Sequence, residues 1–230
     1  MPHPSSLPRA FPGKPLLCYV TDRRLLAAGE ASPRTSLVLR KIEAAVRAEV
    51  DWIQIREKDI CAKDGAALVR AALGAVGDRD VRILVNDRID IALAENAGGV
   101  HLGRQSIPVA EARKFLEQNR DPARQSGPVL TGVSCHSLAE VAAAARDGAD
   151  YVFFGPVFAT PSKIAFAAPQ GLAKLAEVCQ VAEIPVLAIG GITTDNAASC
   201  LSAGAAGIAA IRLFQDAVDI RAVTEKLRQL

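Results

Sequence analysis

The feature that most constrains this chain is a rhythm. From Leu16 onward, short apolar runs alternate with longer, Ala-rich amphipathic ones. The runs LLCYVT (16–21), WIQIR (52–56), RILVN (82–86), GVHL (99–102), VLTGVS (129–134), YVFFG (151–155), PVLAIG (185–190) and GIAAI (207–211) have the length and β-branched or aromatic content of strands. Helical patterns lie between them near 35–48, 63–76, 88–96, 108–119, 137–147, 170–182 and 195–203, with a last one near 216–229. Several strands are apolar on both faces, as a parallel sheet covered on both sides requires. Eight strand–helix pairs within 230 residues predict a closed (β/α)8 barrel, the TIM barrel. An open doubly wound sheet is the alternative, but no G-x-G-x-x-G follows the first strand. No change of composition marks a second domain, so one barrel is expected over 15–230. The preceding MPHPSSLPRAFPGK (1–14), with four prolines, is expected to be a disordered tail.

Composition removes several function classes. A net charge of +2 leaves no basic stripe for nucleic acid, and 4% aromatics supply no base-stacking platform. The five cysteines are scattered without a Cys-x-x-Cys pair, and three histidines spread along the chain make no zinc cluster. A reduced, cytoplasmic setting fits that usage. No segment approaches the ~20 apolar residues of a membrane span.

Barrels of this kind carry their chemistry at the C-terminal ends of the strands, and polar residues gather there. In DWIQIREKD (51–59), Gln54, Arg56 and Lys58 occupy alternate positions and so project to one side, either to water or into a pocket. Other strands end in Thr21-Asp22, Asn86-Asp87, His101 followed by Arg104, Ser134-Cys135-His136, Gly190-Gly191 and Arg212, and strand six leads to Thr160, Ser162 and Lys163. This convergence favours the pocket. Arg56, Lys58 and Lys163 suit phosphate oxygens. Gly190-Gly191 falls where such barrels bind phosphate, and glycine lets backbone N–H groups approach an anion.

Asn86 and Asp87 offer hard oxygens for Mg²⁺ through water, or alternatively cap the helix starting at 88. His136 is of the residue type best suited to general acid–base work. Equally, it precedes a capping box made by Ser137 and Glu140. His101, between Val100 and Leu102, reads as a satisfied near-core histidine rather than a catalyst.

In order along the chain, QIREKD, VNDRIDIALAENAGGVHLG, GVSCHSLAE, GADYVFFGPVFATPSK, PVLAIGGIT and AGAAGIAA resemble the thiamine-phosphate synthases and the related TenI-like thiazole tautomerases. The likeness runs from about Cys18 to Arg212. It implies a barrel enzyme that joins a pyrimidine pyrophosphate to a thiazole phosphate with release of pyrophosphate. It further implies that Gln54, Arg56 and Lys58 grip the pyrimidine pyrophosphate, Asn86 contacts the pyrimidine and Asp87 ligates Mg²⁺. Ser134 would lie near the pyrimidine, Thr160 and Ser162 near the thiazole phosphate, and Lys163 on the pyrophosphate. Gly190 and Gly191, with the backbone at Ile211 and Arg212, would hold the thiazole phosphate. The implied partners are these small phosphorylated molecules, and a homo-oligomer stays compatible with the pattern.

The chain departs from the family in two places. Where synthases commonly read H-x-G-Q-x-D, it reads HLGRQS, placing Arg104 for Gln and Ser106 for the second metal-ligating Asp. Where they place Val-Ser after strand eight, it has Ile211-Arg212. The first departure implies weakened Mg²⁺ dependence, with Arg104 either neutralising pyrophosphate or pointing to solvent. The retained Gln54, Arg56, Lys58 and Asp87 favour the synthase branch over the tautomerase branch, which uses a His at position 136 for proton transfer. A phosphometabolite-binding module without turnover is the third reading.

Overall fold

The computed structural model describes residues 7, 14–26, 34–119, 128–160 and 168–230. Most of the expected tail and the positions of Ser162 and Lys163 lie outside them. Leu7, within that tail, packs against the cluster inside the barrel.

The rhythm becomes a closed, all-parallel barrel in which each strand pairs with its sequence neighbours. The strands are β1 (Leu16–Val20), β2 (Trp52–Ile55), β3 (Arg82–Asn86), β4 (Gly99–Leu102), β5 (Leu130–Cys135), β6 (Tyr151–Phe154), β7 (Val186–Ile189) and β8 (Gly207–Ala210). β8 returns to β1, with Leu17 opposite Ile208 and Cys18 opposite Ala209, so the sheet has no edge. The helices are α1 (Arg34–Arg47), α2 (Ala62–Val76), α3 (Ile89–Glu95), α4 (Val109–Asn119), α5 (Leu138–Arg146), α6 (Gly171–Val181), α7 (Ala197–Ser202), α8 (Arg212–Gln215) and α9 (Ile220–Arg228). Each long helix buries one stripe. In α1 that stripe is Val38, Ile42, Ala45 and Val46, at the spacing a helix face needs.

Strand alternation divides the apolar residues into two cores. Leu17, Tyr19, Ile53, Val85, Val100, Val152 and Phe154 face the helices. Leu16, Cys18, Val20, Trp52, Leu84, Leu130, Tyr151, Phe153, Leu187 and Ala209 fill the barrel. Gly132 makes this filling possible, because a Cβ there would overlap the Tyr151 ring. Tyr151 stacks obliquely on Trp52, with ring centroids 4.8 Å apart.

One expected element is revised. The helix expected near 216–229 is α9, which begins only at Ile220, and the single turn α8 that precedes it was not expected. Asp219 starts α9 by accepting from the backbone N–H groups of Arg221 and Ala222. Before it, Gln215 is buried and anchors the end of the barrel to its beginning. Its Oε1 accepts from the Tyr19 hydroxyl and the Asp22 backbone, and its Nε2 donates to the Asp22 carbonyl.

Candidate active site

A cavity of about 570 Å³ opens at the C-terminal ends of the strands. Gln54, Arg56, Lys58, Asn86, Asp87, Arg104, Ser134 and His136 all border it, so residues from four strand ends meet in one space. Strand β2 ends at Ile55, one residue earlier than expected, so Arg56 and Lys58 extend from the loop rather than the strand. They nevertheless reach the cavity beside Gln54. Of the two positions proposed for Arg104, cavity and solvent, it takes both: it is exposed and forms part of the rim.

The loop after β2 is held from behind. Thr21 donates to Glu57 at 2.6 Å, the Arg23 backbone donates to the same carboxylate, and the Arg56 backbone donates to the Thr21 hydroxyl at 3.0 Å. Burial pushes the Glu57 carboxyl up, against the lowering effect of these hydrogen bonds. On the cavity side Arg24 forks onto Asp22 at 3.1 and 3.2 Å, and Arg56 approaches the same carboxylate at 3.9 Å. Burial raises the Asp22 pKa, but the Arg24 hydrogen bonds and the two guanidinium charges outweigh it, and the net shift is downward. Arg24 and Glu57 were not singled out from the sequence, and Asp22 was noted only as a polar strand end. Their roles depend on contacts between strand ends that no local pattern records, although Glu57 lies inside the quoted QIREKD.

The amide floor is ordered by one carboxylate. Asp87 accepts from Asn86 Nδ2 at 2.7 Å, from the Gly103 backbone at 3.2 Å and from the Ser106 hydroxyl. An ionised carboxylate only accepts, so Asn86 turns its amine towards Asp87 and its carbonyl towards Gln54, whose Nε2 donates at 3.0 Å. The capping reading of this pair fails, because Arg88 occupies the cap position of α3 and no side chain caps that helix. Instead Asp87 adopts φ +60°, a left-handed conformation that Asp tolerates better than most residues.

His136 lies both at the entry of a helix and at the cavity wall. Ser137 accepts from the Glu140 backbone at 3.2 Å and starts α5, while Glu140 accepts from the His136 backbone at 2.5 Å. The His136 ring also borders the cavity, and its Nδ1 meets the Gly155 carbonyl. A carbonyl only accepts, so Nδ1 carries a proton. His101 is the satisfied core histidine anticipated: it is 2% exposed, with Nδ1 3.1 Å from Tyr151 Oη and Nε2 2.9 Å from Ser134 Oγ. Burial pushes its pKa down to about 3.

A second cavity, about 320 Å³, lies at the β7–β8 corner and includes Thr160, Gly190, Gly191, Ile211 and Arg212 in its walls. Gly190 and Gly191 have φ of +96° and +68°. A Cβ on Gly191 would come within 2.5 Å of the Ala159 carbonyl, so glycine is required for both space and conformation. The start of the single turn α8, at Ile211 and Arg212, forms part of this corner. The Arg212 side chain turns away to pair with Asp216 at 3.3 Å.

Among the described residues no three His, Cys, Asp or Glu side chains gather to hold a metal, and no helix is long and apolar enough to cross a membrane. At the Asp87 corner the donor set is one carboxylate, the Ser106 hydroxyl and the Asn86 amide.

Residues 18–214 match the family described as thiamine monophosphate synthase. The thiamine-phosphate synthase of Roseiflexus castenholzii is 42% identical over 229 residues, covering 98% of this chain and 93% of its own. A putative thiamine-phosphate synthase of Geobacter sulfurreducens is 42% identical over 195 residues, covering 85% of this chain and 84% of its own. Among solved structures, a thiamine phosphate pyrophosphorylase from Pyrococcus furiosus superposes with a TM-score of 0.76 at 32% identity, covering 93% of each chain. A 3-hexulose-6-phosphate synthase, TM-score 0.67 and 18% identity over 94% of this chain and 98% of its own, shares the fold alone. With its barrel, its cation-rimmed cavity and relatives matched along nearly its whole length, the chain belongs to the thiamine monophosphate synthase family.

Proposed function

We propose that this chain is a thiamine-phosphate synthase, a transferase that joins an aminopyrimidine-methyl pyrophosphate to a thiazole phosphate. The observation that carries the reading is the charge layout of the larger cavity. Among the described residues, Arg24, Arg56, Lys58 and Arg104 border it against Asp22 and Asp87, and Asp22 is already engaged by Arg24 and Arg56. The space therefore suits a polyanion.

The reaction needs positioning and neutralisation more than nucleophilic catalysis. The bond between the pyrimidine's methylene carbon and the pyrophosphate oxygen breaks, and its electron pair leaves with pyrophosphate. The amino-substituted ring stabilises the resulting cation, and the thiazole nitrogen donates its lone pair to form the new carbon–nitrogen bond. Arg56 and Lys58, joined by Lys163 from the loop after β6, stabilise the charge that develops on the leaving group. Gln54, Asn86 and Ser134 orient the pyrimidine over the cavity floor. Thr160, Ser162, Gly190 and Gly191, with the backbone of Ile211 and Arg212, receive the thiazole phosphate in the adjoining corner.

The Asp87 corner fits Mg²⁺, because this ion is commonly held by one or two carboxylates together with substrate phosphates. Asp87 would hold it, with Ser106 offering only a neutral oxygen, and the ion would add positive charge at the departing pyrophosphate. With a single carboxylate present, Arg104 takes a share of that neutralisation, and the dependence on Mg²⁺ is weakened.

One observation supports the tautomerase reading. With Nδ1–H held by Gly155, neutral His136 keeps Nε2 as a base beside the cavity. One assay separates the readings: incubation with both phosphorylated precursors, followed by measurement of thiamine phosphate and pyrophosphate. Stoichiometric formation of both is expected. Thiazole isomerisation without coupling would replace the synthase with the tautomerase, and no turnover at all would leave a binding module.

A further inference from the structure

A buried polar chain runs from inside the barrel to the floor of the cavity. Tyr151 on β6 is fully buried, His101 on β4 is 2% exposed, and Ser134 on β5 borders the cavity. Tyr151 Oη lies 3.1 Å from His101 Nδ1, and Ser134 Oγ lies 2.9 Å from His101 Nε2. The histidine is clamped laterally as well, its ring centroid 4.1 Å from that of Phe153.

The proton positions follow from satisfaction. Among the described residues, His101 is the hydrogen-bond partner of the Tyr151 hydroxyl. If Nδ1 carried the proton and donated to Tyr151, the phenolic hydrogen would be buried with no acceptor, which is unfavourable. If Tyr151 donates to Nδ1, every group is satisfied. Nε2 then carries the ring proton and donates to Ser134 Oγ. Burial keeps Tyr151 a neutral hydroxyl and His101 a neutral imidazole, as this arrangement needs. With its oxygen already accepting from the histidine, Ser134 directs its own hydrogen outward.

We propose that Tyr151 and His101 are positioning residues that fix the Ser134 hydroxyl as a hydrogen-bond donor into the cavity. The group it meets is an acceptor on the heteroaromatic substrate, an unprotonated ring nitrogen. The barrel interior thereby selects the protonation pattern of the ring it binds, through residues that act by way of Ser134. The substrate assignment rests on the synthase reading, whereas the direction of the chain does not.

Long-range ¹H–¹⁵N spectra of the full-length wild-type protein test the chain directly. With three histidines in the sequence, the His101 signals are identified by their loss in His101→Gln. A proton on Nε2 and a bare Nδ1 are expected; a proton on Nδ1 overturns the proposal. Kinetics test the consequence. Tyr151→Phe removes one oxygen and is expected to raise KM for the pyrimidine pyrophosphate up to about tenfold, the worth of one hydrogen bond. KM for the thiazole phosphate should stay unchanged. Because Tyr151 acts through Ser134, the pair Tyr151→Phe/Ser134→Ala should be no worse than Ser134→Ala alone. Additive losses, or equal rises in both KM values, would mark a merely structural tyrosine and overturn the proposal. A wild type that couples nothing would sink the synthase reading instead, with the tautomer of His101 still deciding the direction of the chain.

Discussion

Arg56 shows how one residue acquires a function from its neighbours. Its backbone is tied to Thr21, which is tied to Glu57, while its guanidinium leans towards Asp22 across the cavity rim. The side chain is about a quarter exposed, at 27%, so ligand binding can complete its desolvation. A positive group aimed at developing leaving-group charge in a water-poor site typically contributes ~10²–10³ in rate. Arg56→Ala is therefore expected to lower kcat for coupling by roughly that factor. Arg56→Lys should recover only part of the loss, because an ammonium keeps the charge but not the planar donor fork. Steady-state kinetics with saturating thiazole phosphate measure both. An Arg56→Ala enzyme with wild-type kcat would remove Arg56 from the reaction and return the strand end to a structural role.

At the scale of elements, strand ends were the legible part of the sequence and loops were not. All eight strands fall within a residue or so of the apolar runs that announce them, since a strand buried on both faces has to be apolar along its length. The helix expected from about 216 begins at Ile220, its start marked by Asp219 in a capping position, and the single turn α8 before it is too short to show a helical period. Asn86-Asp87 shows the reverse, in which local rules left a helix cap open beside a metal ligand, and contacts with Gly103 and Ser106 drew the carboxylate away from the cap. The β7 terminus is where local rule and function coincide. Gly191 at φ +68° lies against Phe158 and Ala159, so Gly191→Ala both strains the backbone and displaces the loop that carries Thr160. A stability loss of ~1–3 kcal/mol is expected in urea denaturation. KM for the thiazole phosphate should rise while KM for the pyrimidine pyrophosphate holds. Parallel rises in both would mean that the two cavities are not separate subsites.

The whole molecule places a titratable ring at its centre, with consequences for stability as well as binding. Tyr151 and Phe153 of the barrel's filling pack against His101, and burial lowers its pKa to about 3 from an ordinary 6.5. The sequence anticipated the burial from the apolar flanks of His101, but not its partners, which come from β5 and β6. Below pH 6.5 the unfolded chain takes up a proton that the folded chain refuses, so the unfolded state gains as pH falls. The contribution of His101 is therefore fully present above about pH 6.5 and is lost progressively towards about pH 3. Glu57 has the opposite sign: burial raises its pKa, so its folded form takes up a proton more readily as the medium becomes acidic. Glu57 is unchanged in His101→Gln, so comparing the two proteins between pH 7.5 and pH 5 isolates the histidine. Over this interval the linkage amounts to about 2 kcal/mol from His101. Urea denaturation at the two pH values should show a loss of that order in the wild type. In His101→Gln the same interval should be flatter by the same amount, whatever the variant's baseline stability. Equal pH slopes in the two proteins would mean that His101 takes up its proton in the folded state, and the neutral imidazole between Tyr151 and Ser134 would have to be abandoned.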